Sequence, residues 1–478
     1  MERVLTAIRN YFPLKNTTGW FFCFIAVAVM ALAYTFFPPL CIVLVAGGVV
    51  FLVACRLELG LYALVGTAFF IGWYFIIPVN FFEEKSSFRQ FFNGVLDAPV
   101  ADFVGLIMIG AVIIALLFFR SRIFLERLRP LVWGIFFYGL FIAAALFSAF
   151  AVYNQDMVAS VKYVLRPMLF GFVAFFLVPA MLITNKTIFY RVLAVLFGVG
   201  AIIALYGLSS LALAPVRGWL RVAPYPIFGF APMGYNHNLL AEALVGIIPL
   251  SVIFLVKKDT RLPPTFLWGS FFAMILVAFL TLSRAAWIAL VIDGALLLYW
   301  YRQPFLRKMR EYKKYYPLLA GVFGLVAIYM ALFLGSSVVQ SSNNSREAMV
   351  DIVAYYFPQA PWLGYGPGSF IKIIGGTYDF MMEYGTALDS HGFAQKILLE
   401  GGLVGLALFG VFLAWLFVTL YRVQAETDGD KQFIARCLLI TVVGVYSFQL
   451  FSTSYFVSPV WMPVGIALAG SLLIKKSD

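Results

Sequence analysis

The chain has 478 residues, of which 63% are hydrophobic and only 12% charged, with a mean hydropathy of +0.95. Water-soluble domains carry about a quarter charged residues, so a soluble enzyme and a disordered protein are both excluded and the chain is read as an integral membrane protein. The net charge of +12 does not imply a nucleic-acid partner, because the basic residues gather in short loops between apolar runs, the pattern that sets membrane orientation.

A hydrocarbon core of roughly 30 Å takes about 20 apolar residues per helix, since each peptide group must bond within its own segment. On that measure the sequence predicts an all-α polytopic fold with spans near 19–37, 40–55, 59–80, 101–119, 131–153, 164–184, 192–214, 236–256, 266–282, 285–301, 317–335, 400–421, 433–453 and 456–474. That is about 12–14 transmembrane helices, the lower number applying if neighbours form tilted or re-entrant pairs. The first run follows Arg3, Arg9 and Lys15 and contains "ALA", which resembles a cleaved signal, but with so many runs behind it we read a retained first helix. Cys23, Cys41, Cys55 and Cys437 lie in or at the ends of runs and define no disulfide or metal framework.

With a cytoplasmic N-terminus, one set of loops carries "RSRIFLERLRP" (120–130), "KKDTR" (257–261), "YRQPFLRKMREYKK" (301–314) and Lys475 and Lys476. Most Lys and Arg then lie inside, and an even number of spans returns the C-terminus to the same side. The expected organisation is an N-terminal helical region (1–190), helices with outer arginine loops (191–335), an outer segment (336–399) and C-terminal helices (400–478).

The basic residues left on the outer face are the informative ones: Arg217, Arg221, Arg284, Arg346, Lys372 and Lys396, with Lys85, Arg89, Lys162 and Arg166. Arg217 and Arg221 stand four apart in a Pro- and Gly-rich connection and would share one face of a helical turn, although snorkelling to headgroups explains either alone. In "AFLTLSRAAWIALVIDG" (278–294) two apolar runs meet with only Ser283 and Arg284 between them, and an arginine at that depth faces an aqueous or protein interior and needs a partner. Glu242 sits about six residues into its span, within reach of the outer arginines, and Asp293 lies deeper in the next but one.

The outer segment opens with "GSSVVQSSNNS", continues as "REAMVDIVAYYFPQAPWLGYGPGSF" (346–370) and ends in "DSHGFAQKILLEGGLVG" (389–405). Residues 346–357 have the spacing of an amphipathic interfacial helix. Gly364, Gly366 and Gly368 then allow positive φ or close approach of a ligand. His391, with Asp389 before it and Glu400 after it, is placed to exchange a proton near neutral pH. His237, between Asn236 and Asn238, reads as a helix entrance, and two histidines among scattered carboxylates show no zinc-ligand spacing.

These stretches resemble the O-antigen ligase and polymerase superfamily of bacterial inner-membrane glycosyltransferases. "HGFAQKILLEGGLVG" keeps the family's histidine and two glycines, with Gly392 in place of the usual small polar residue. "SRAAWIAL", residues 346–370 and "GYNHNLLAEALVGIIPL" are similar to the family's arginine between spans, its helix with a G-x-G turn, and its asparagine-led helix. The resemblance covers roughly 200–420; the first 190 residues match in hydropathy alone.

The resemblance implies a periplasmic active site, an undecaprenyl-pyrophosphate-linked glycan donor, and a lipid A core or glycan acceptor, with membrane lipids as the surroundings. It implies no metal and no cofactor. His391 and Arg284 are the expected catalytic residues; Arg217, Arg221, Arg284 and Arg346 the pyrophosphate ligands; and Asp389, Glu400 or Glu242 the orienting carboxylates. The expected activity is that of a ligase, with a polymerase as the alternative. A protein-directed oligosaccharyltransferase fits less well, because such relatives commonly carry a soluble domain after the last span. A transporter or flippase built around Glu242 and Asp293 is the alternative from another class.

Overall fold

A computed structural model describes residues 47–476 apart from 51, 79–94, 120–125, 127, 152–153, 155, 217, 257–261, 312–315 and 453–455. The predicted span 19–37, its basic leader, Cys23, Cys41 and Arg217 lie outside the described residues. The described chain is a helical bundle: α1 (Leu57–Thr67), α2 (Val100–Phe119), α3 (Val132–Ala149), α4 (Met157–Leu182), α5 (Lys186–Leu213), α6 (His237–Val256), α7 (Pro264–Leu280), α8 (Arg284–Glu311), α9 (Tyr316–Leu334), α10 (Ser337–Tyr356), α11 (Ser369–Gly376), α12 (Tyr378–Tyr384), α13 (Phe393–Glu426), α14 (Gly429–Gln449) and α15 (Ser458–Lys476). Among the described residues nine helices are long and apolar enough to cross a bilayer, or up to eleven if two bent pairs each make one crossing, and α7 is a shorter apolar helix. The chain is an all-α polytopic membrane protein.

Helix ends follow local chemistry. The Asn185 side chain accepts from Ile188 N at 2.9 Å and starts α5, and Asp156 does the same for α4 through Ala159 N at 2.9 Å, each satisfying a peptide donor that has no partner in its own helix. α6 and α15 are buried along most of their length. The core stacks Tyr138 on Phe172 (4.0 Å between ring centres) and Phe172 on Phe176 (4.8 Å), with Trp461 edge-on to all three rings; such offset and edge contacts are favoured by the ring quadrupole.

Three sequence expectations change. The run 59–80 is not one span: the helix stops at Thr67, and Tyr74–Pro78 (β1) pairs antiparallel with Val95–Pro99 (β2) as a two-stranded ribbon. Its cause is Gly72, which donates to Pro232 O at 3.0 Å and where a Cβ would lie 1.9 Å from Ala231 O, so the chain turns aside to meet the 231–234 loop. The amphipathic helix begins at Ser337 rather than 346, because the polar run "SVVQSSNNS" shares one helical repeat with Met349 and Val353. Arg221 lies in irregular backbone after Gly218 (φ 82°), not on a helical turn.

The late span is longer than expected and is broken. α13 begins at Phe393, and Gly402 interrupts it at φ 63° and ψ −163°, a region essentially reserved for glycine. The break is filled by residues 361–366. Tyr365 N and Gly366 N donate to Leu399 O and Glu400 O at 3.0 and 2.9 Å, and Leu403 N and Val404 N donate to Pro361 O and Trp362 O at 2.8 and 3.2 Å. Gly364 (φ 66°) and Gly402 make this contact possible, since a Cβ on either would lie within 2.5 Å of the other segment's backbone. The G-x-G turn therefore mates with a helix through Gly364 and Gly366.

Candidate active site

The first residues of α6 and α8, the end of α9, helix α10, the end of α12, the turn between α7 and α8, and the loops before α6, before α13 and after α14 enclose a cavity of about 410 Å³. α7 and α8 are joined only by Thr281, Leu282 and Ser283. Leu282 takes φ 57°, uncommon for a bulky side chain, and is held there by burial against Trp287 and Phe333. This turn makes Arg284 the first residue of α8 and delivers its guanidinium to the cavity wall. There it donates to Asn343 Oδ1 and, at 3.1 Å, to Ser342 Oγ of α10.

Arg221 arrives from the irregular loop. Val222 N binds Leu280 O at 2.8 Å, which lays the loop along the end of α7, and Arg221 Nε donates to Thr281 O at 3.2 Å. Its Nη2 donates to His237 Nε2; a guanidinium has no acceptor, so that imidazole nitrogen must accept. Asn236 supplies the helix start, accepting from Asn238 N at 2.9 Å. Arg346 enters from α10, three residues beyond Asn343, and its Nε is buried with no hydrogen-bond partner among the described residues. The Ser283 hydroxyl is in the same state.

His391, half-buried in the loop before α13, completes the wall and makes no hydrogen bond among the described residues. Burial, then the charges of Arg346 and Arg284, hold its pKa down at about 4, with Asp389 pulling upward. The imidazole is neutral at pH 7 and has a lone pair to accept a proton. Among the described residues the cavity wall has three arginines and no Asp or Glu. Buried charges are ordinarily paired, so the arrangement is built to receive an anion.

Among the expected pyrophosphate ligands, Arg221, Arg284 and Arg346 meet with His391 at this one cavity. Glu242 is buried one turn beyond Asn238 and does not line it. The expected orienting carboxylates serve another cation. Lys396, 2% exposed, binds Asp389 Oδ1 and Oδ2 at 2.8 and 2.6 Å, approaches Glu400 Oε1 at 3.9 Å, and lies over the Tyr163 ring at 5.3 Å. Glu400 Oε1 also accepts from Phe370 N at 3.2 Å. Neither carboxylate hydrogen-bonds to His391. Lys396 lies one turn before Glu400 on the same helix and reaches back to Asp389, so it pairs with both carboxylates. Gly392 keeps the histidine loop close to the bundle, since a Cβ there would meet Leu450 O at 2.5 Å.

Sequence reading missed Lys396 as an internal cation, the polar run as the support of Arg284, and His237 as the partner of Arg221. The signal for the second was present: Ser341, Ser342, Ser345 and Arg346 recur at helical spacing.

Together these elements define a polytopic membrane protein with an anion-receptive, histidine-bearing cavity at one end of its helices. Residues 269–410, 142 of 478, match the family model for O-antigen ligase. The matched stretch contains Arg284, Arg346, the glycine turn and His391, and excludes Arg221 and His237. No curated protein matches the chain.

Proposed function

We propose that the protein is an O-antigen ligase that transfers a glycan from undecaprenyl pyrophosphate to a lipid A core sugar at the periplasmic face of the bacterial inner membrane. One observation carries this reading: three guanidinium groups and the imidazoles of His237 and His391 surround a single cavity whose wall, among the described residues, has no carboxylate. Support for the orientation comes from the sequence, in which the basic loops 120–130, 257–261 and 301–314 alternate with the connections that carry Arg221, Arg284 and His391, as the positive-inside bias requires of a cytoplasmic face.

Arg221, Arg284 and Arg346 bind the pyrophosphate, guanidinium being suited to bidentate phosphate contact. The acceptor hydroxyl oxygen attacks the anomeric carbon of the donor sugar; its proton passes to His391, the carbon–oxygen bond to phosphate breaks, and the electron pair leaves on the pyrophosphate. The fixed cations stabilise charge that grows only as that bond breaks, which makes them catalytic as well as binding groups. Donor binding also activates the base. The two arginines that depress His391 become neutralised by the pyrophosphate, so the imidazole gains proton affinity when the substrate is present.

The test is transfer in proteoliposomes from a defined lipid-pyrophosphate glycan, with a chelator present and a lipid A core acceptor or a second lipid-linked repeat offered separately. Transfer to the core sugar alone supports the ligase, and transfer to the lipid-linked repeat alone replaces it with a polymerase. His391→Ala is expected to lose about 10²- to 10⁴-fold in rate, the usual share of a general base, while still inserting and folding; full activity in that variant removes the proposed base.

A further inference from the structure

A smaller cavity, of about 200 Å³, lies where the start of α4 meets the segment between α10 and α12. It shares no lining residue with the arginine and histidine cavity. Tyr356 and Tyr365, their rings edge to face at 5.8 Å, contribute aromatic wall. Its charges are answered within the protein: Lys372 Nζ binds Asp156 Oδ2 at 2.5 Å, and Lys162 also acts on Asp156. Two of the first amides of α11 are taken as well, Ser369 N by Gly366 O at 3.2 Å and Phe370 N by Glu400 Oε1 at 3.2 Å. A wall of this kind suits an uncharged ligand better than a phosphate.

One polar group of the wall is left open. Ser369 lines the cavity and is 9% exposed, and its Oγ has no hydrogen-bond partner among the described residues, a costly state for a buried hydroxyl unless a ligand answers it. Lys372 adds to this, since an ammonium has further N–H donors beyond the one on Asp156. A few placed polar groups beside aromatic wall are how pockets orient small ligands, and a sugar ring presents the matching surface, an apolar face of C–H groups with a rim of hydroxyls. The location agrees. Tyr356 stands ten residues after Arg346 on α10, about 15 Å along the helix axis. One small core, which includes Met349, Val353 and Phe370, supports Tyr356 of this pocket and Tyr384 of the first cavity. A glycan with its pyrophosphate end at Arg346 covers that distance a few sugars farther along.

We infer that this cavity is a subsite for one uncharged sugar of the glycan, packed against the tyrosines and hydrogen-bonded by Ser369 and Lys372, away from the reacting carbon. The identity of the ligand rests on the glycan-transfer reading. The sugar belongs either to the lipid-linked donor or to the acceptor oligosaccharide, two sources with the same chemistry.

The experiment uses the purified full chain in nanodiscs and two lipid-free probes: the oligosaccharide released by mild acid from the lipid-linked donor of the source cells, and the delipidated core oligosaccharide of their lipopolysaccharide. Affinity is read by ligand-observed NMR titration, with inorganic phosphate added in a third arm. At least one oligosaccharide is expected to bind, which identifies the source, and phosphate is expected not to displace it. Ser369→Ala should weaken that binding about two- to ten-fold, the usual net share of one hydrogen bond, with no loss of thermal stability, because the hydroxyl has no partner to lose. Tyr356→Leu should weaken it at least about two-fold through loss of the ring. In transfer assays both variants should raise KM and leave kcat unchanged, the signature of binding lost equally in ground and transition states. Binding of neither oligosaccharide, displacement by phosphate, or unchanged affinity in either variant would each overturn the assignment. Binding weakened by both variants, with no transfer by the wild-type chain, would keep the sugar site and remove the transferase.

Discussion

Replacing Lys396 by Met tests whether the histidine loop is held by an internal charge cluster. The ammonium is 2% exposed and binds Asp389 at 2.6 Å and Glu400 at 3.9 Å, while their side chains are 27% and 5% exposed. Methionine fills much of the same volume but leaves the Glu400 carboxylate buried without its cation. Removing one member of a buried ion pair costs about 3–5 kcal/mol, because the remaining charge has lost its compensation. Asp389, better solvated, contributes less to that loss. Equilibrium unfolding in mixed micelles should therefore show a clear drop in stability for Lys396→Met, and transfer should fall because Asp389 lies two residues from His391. In the triple variant Lys396→Met, Asp389→Asn, Glu400→Gln the stranded charges are gone, and most of the stability should return. If the single variant unfolds at the wild-type denaturant concentration, or if the triple is no more stable than the single, the cluster does not hold the loop and the reasoning fails.

Arg284→Lys should lower transfer at least about ten-fold, since an ammonium offers a point charge where a fork is needed; near-normal turnover would reduce Arg284 to a headgroup anchor. For pH, kcat/KM should stay level from neutrality down to about pH 5 and fall through the His391 value of about 4, whereas the corresponding step in kcat should lie higher, because bound pyrophosphate offsets the arginines. The same histidine makes stability acid-sensitive. Its folded pKa lies below the unfolded value, so the unfolded chain binds the extra proton between roughly pH 6.5 and 4; stability is lost as pH falls through that window, and His391→Gln should blunt the loss in an acid titration. Gly402→Ala should cost at least about 1–3 kcal/mol from its backbone angles alone, and its Cβ would also meet Trp362 O at 2.3 Å, so a stable, active variant would contradict the described break. Asp293→Asn should leave transfer intact: both its buried oxygens lack hydrogen-bond partners among the described residues, and it packs on Gly444 away from the cavity. Loss of ion flux in that variant, with no effect on a glycan product, would favour a transporter.

Most helices were legible because a bilayer imposes one simple requirement, a run of about 20 apolar residues. Arg284 was legible for the same reason, as a charge placed where two such runs meet. What could not be read are features in which distant backbone segments settle a local choice. The run 59–80 is apolar enough to span, and only the approach of Gly72 to the 231–234 loop turns it into a helix, a bend and a strand. Asp389 and Glu400 flank His391 in sequence, yet an α-helix faces residues three and four apart, which gives Glu400 to Lys396. For Arg221 the four-residue spacing from Arg217 suggested a helical turn that does not form, because the side chain is positioned by Thr281 O and His237 from other parts of the chain.

The interruption of α13 bears on how the protein is made. A gap in a membrane helix exposes peptide groups, each costing several kcal/mol in hydrocarbon, and here they are answered by residues 361–366, some forty positions upstream. That segment is synthesised before α13, so the late helix can settle at its proper depth only when a correctly folded receiver is already there. Quality control of the last three helices is thereby delegated to a stretch outside the lipid, and damage to that stretch should be felt first as failed biogenesis and only second as lost chemistry.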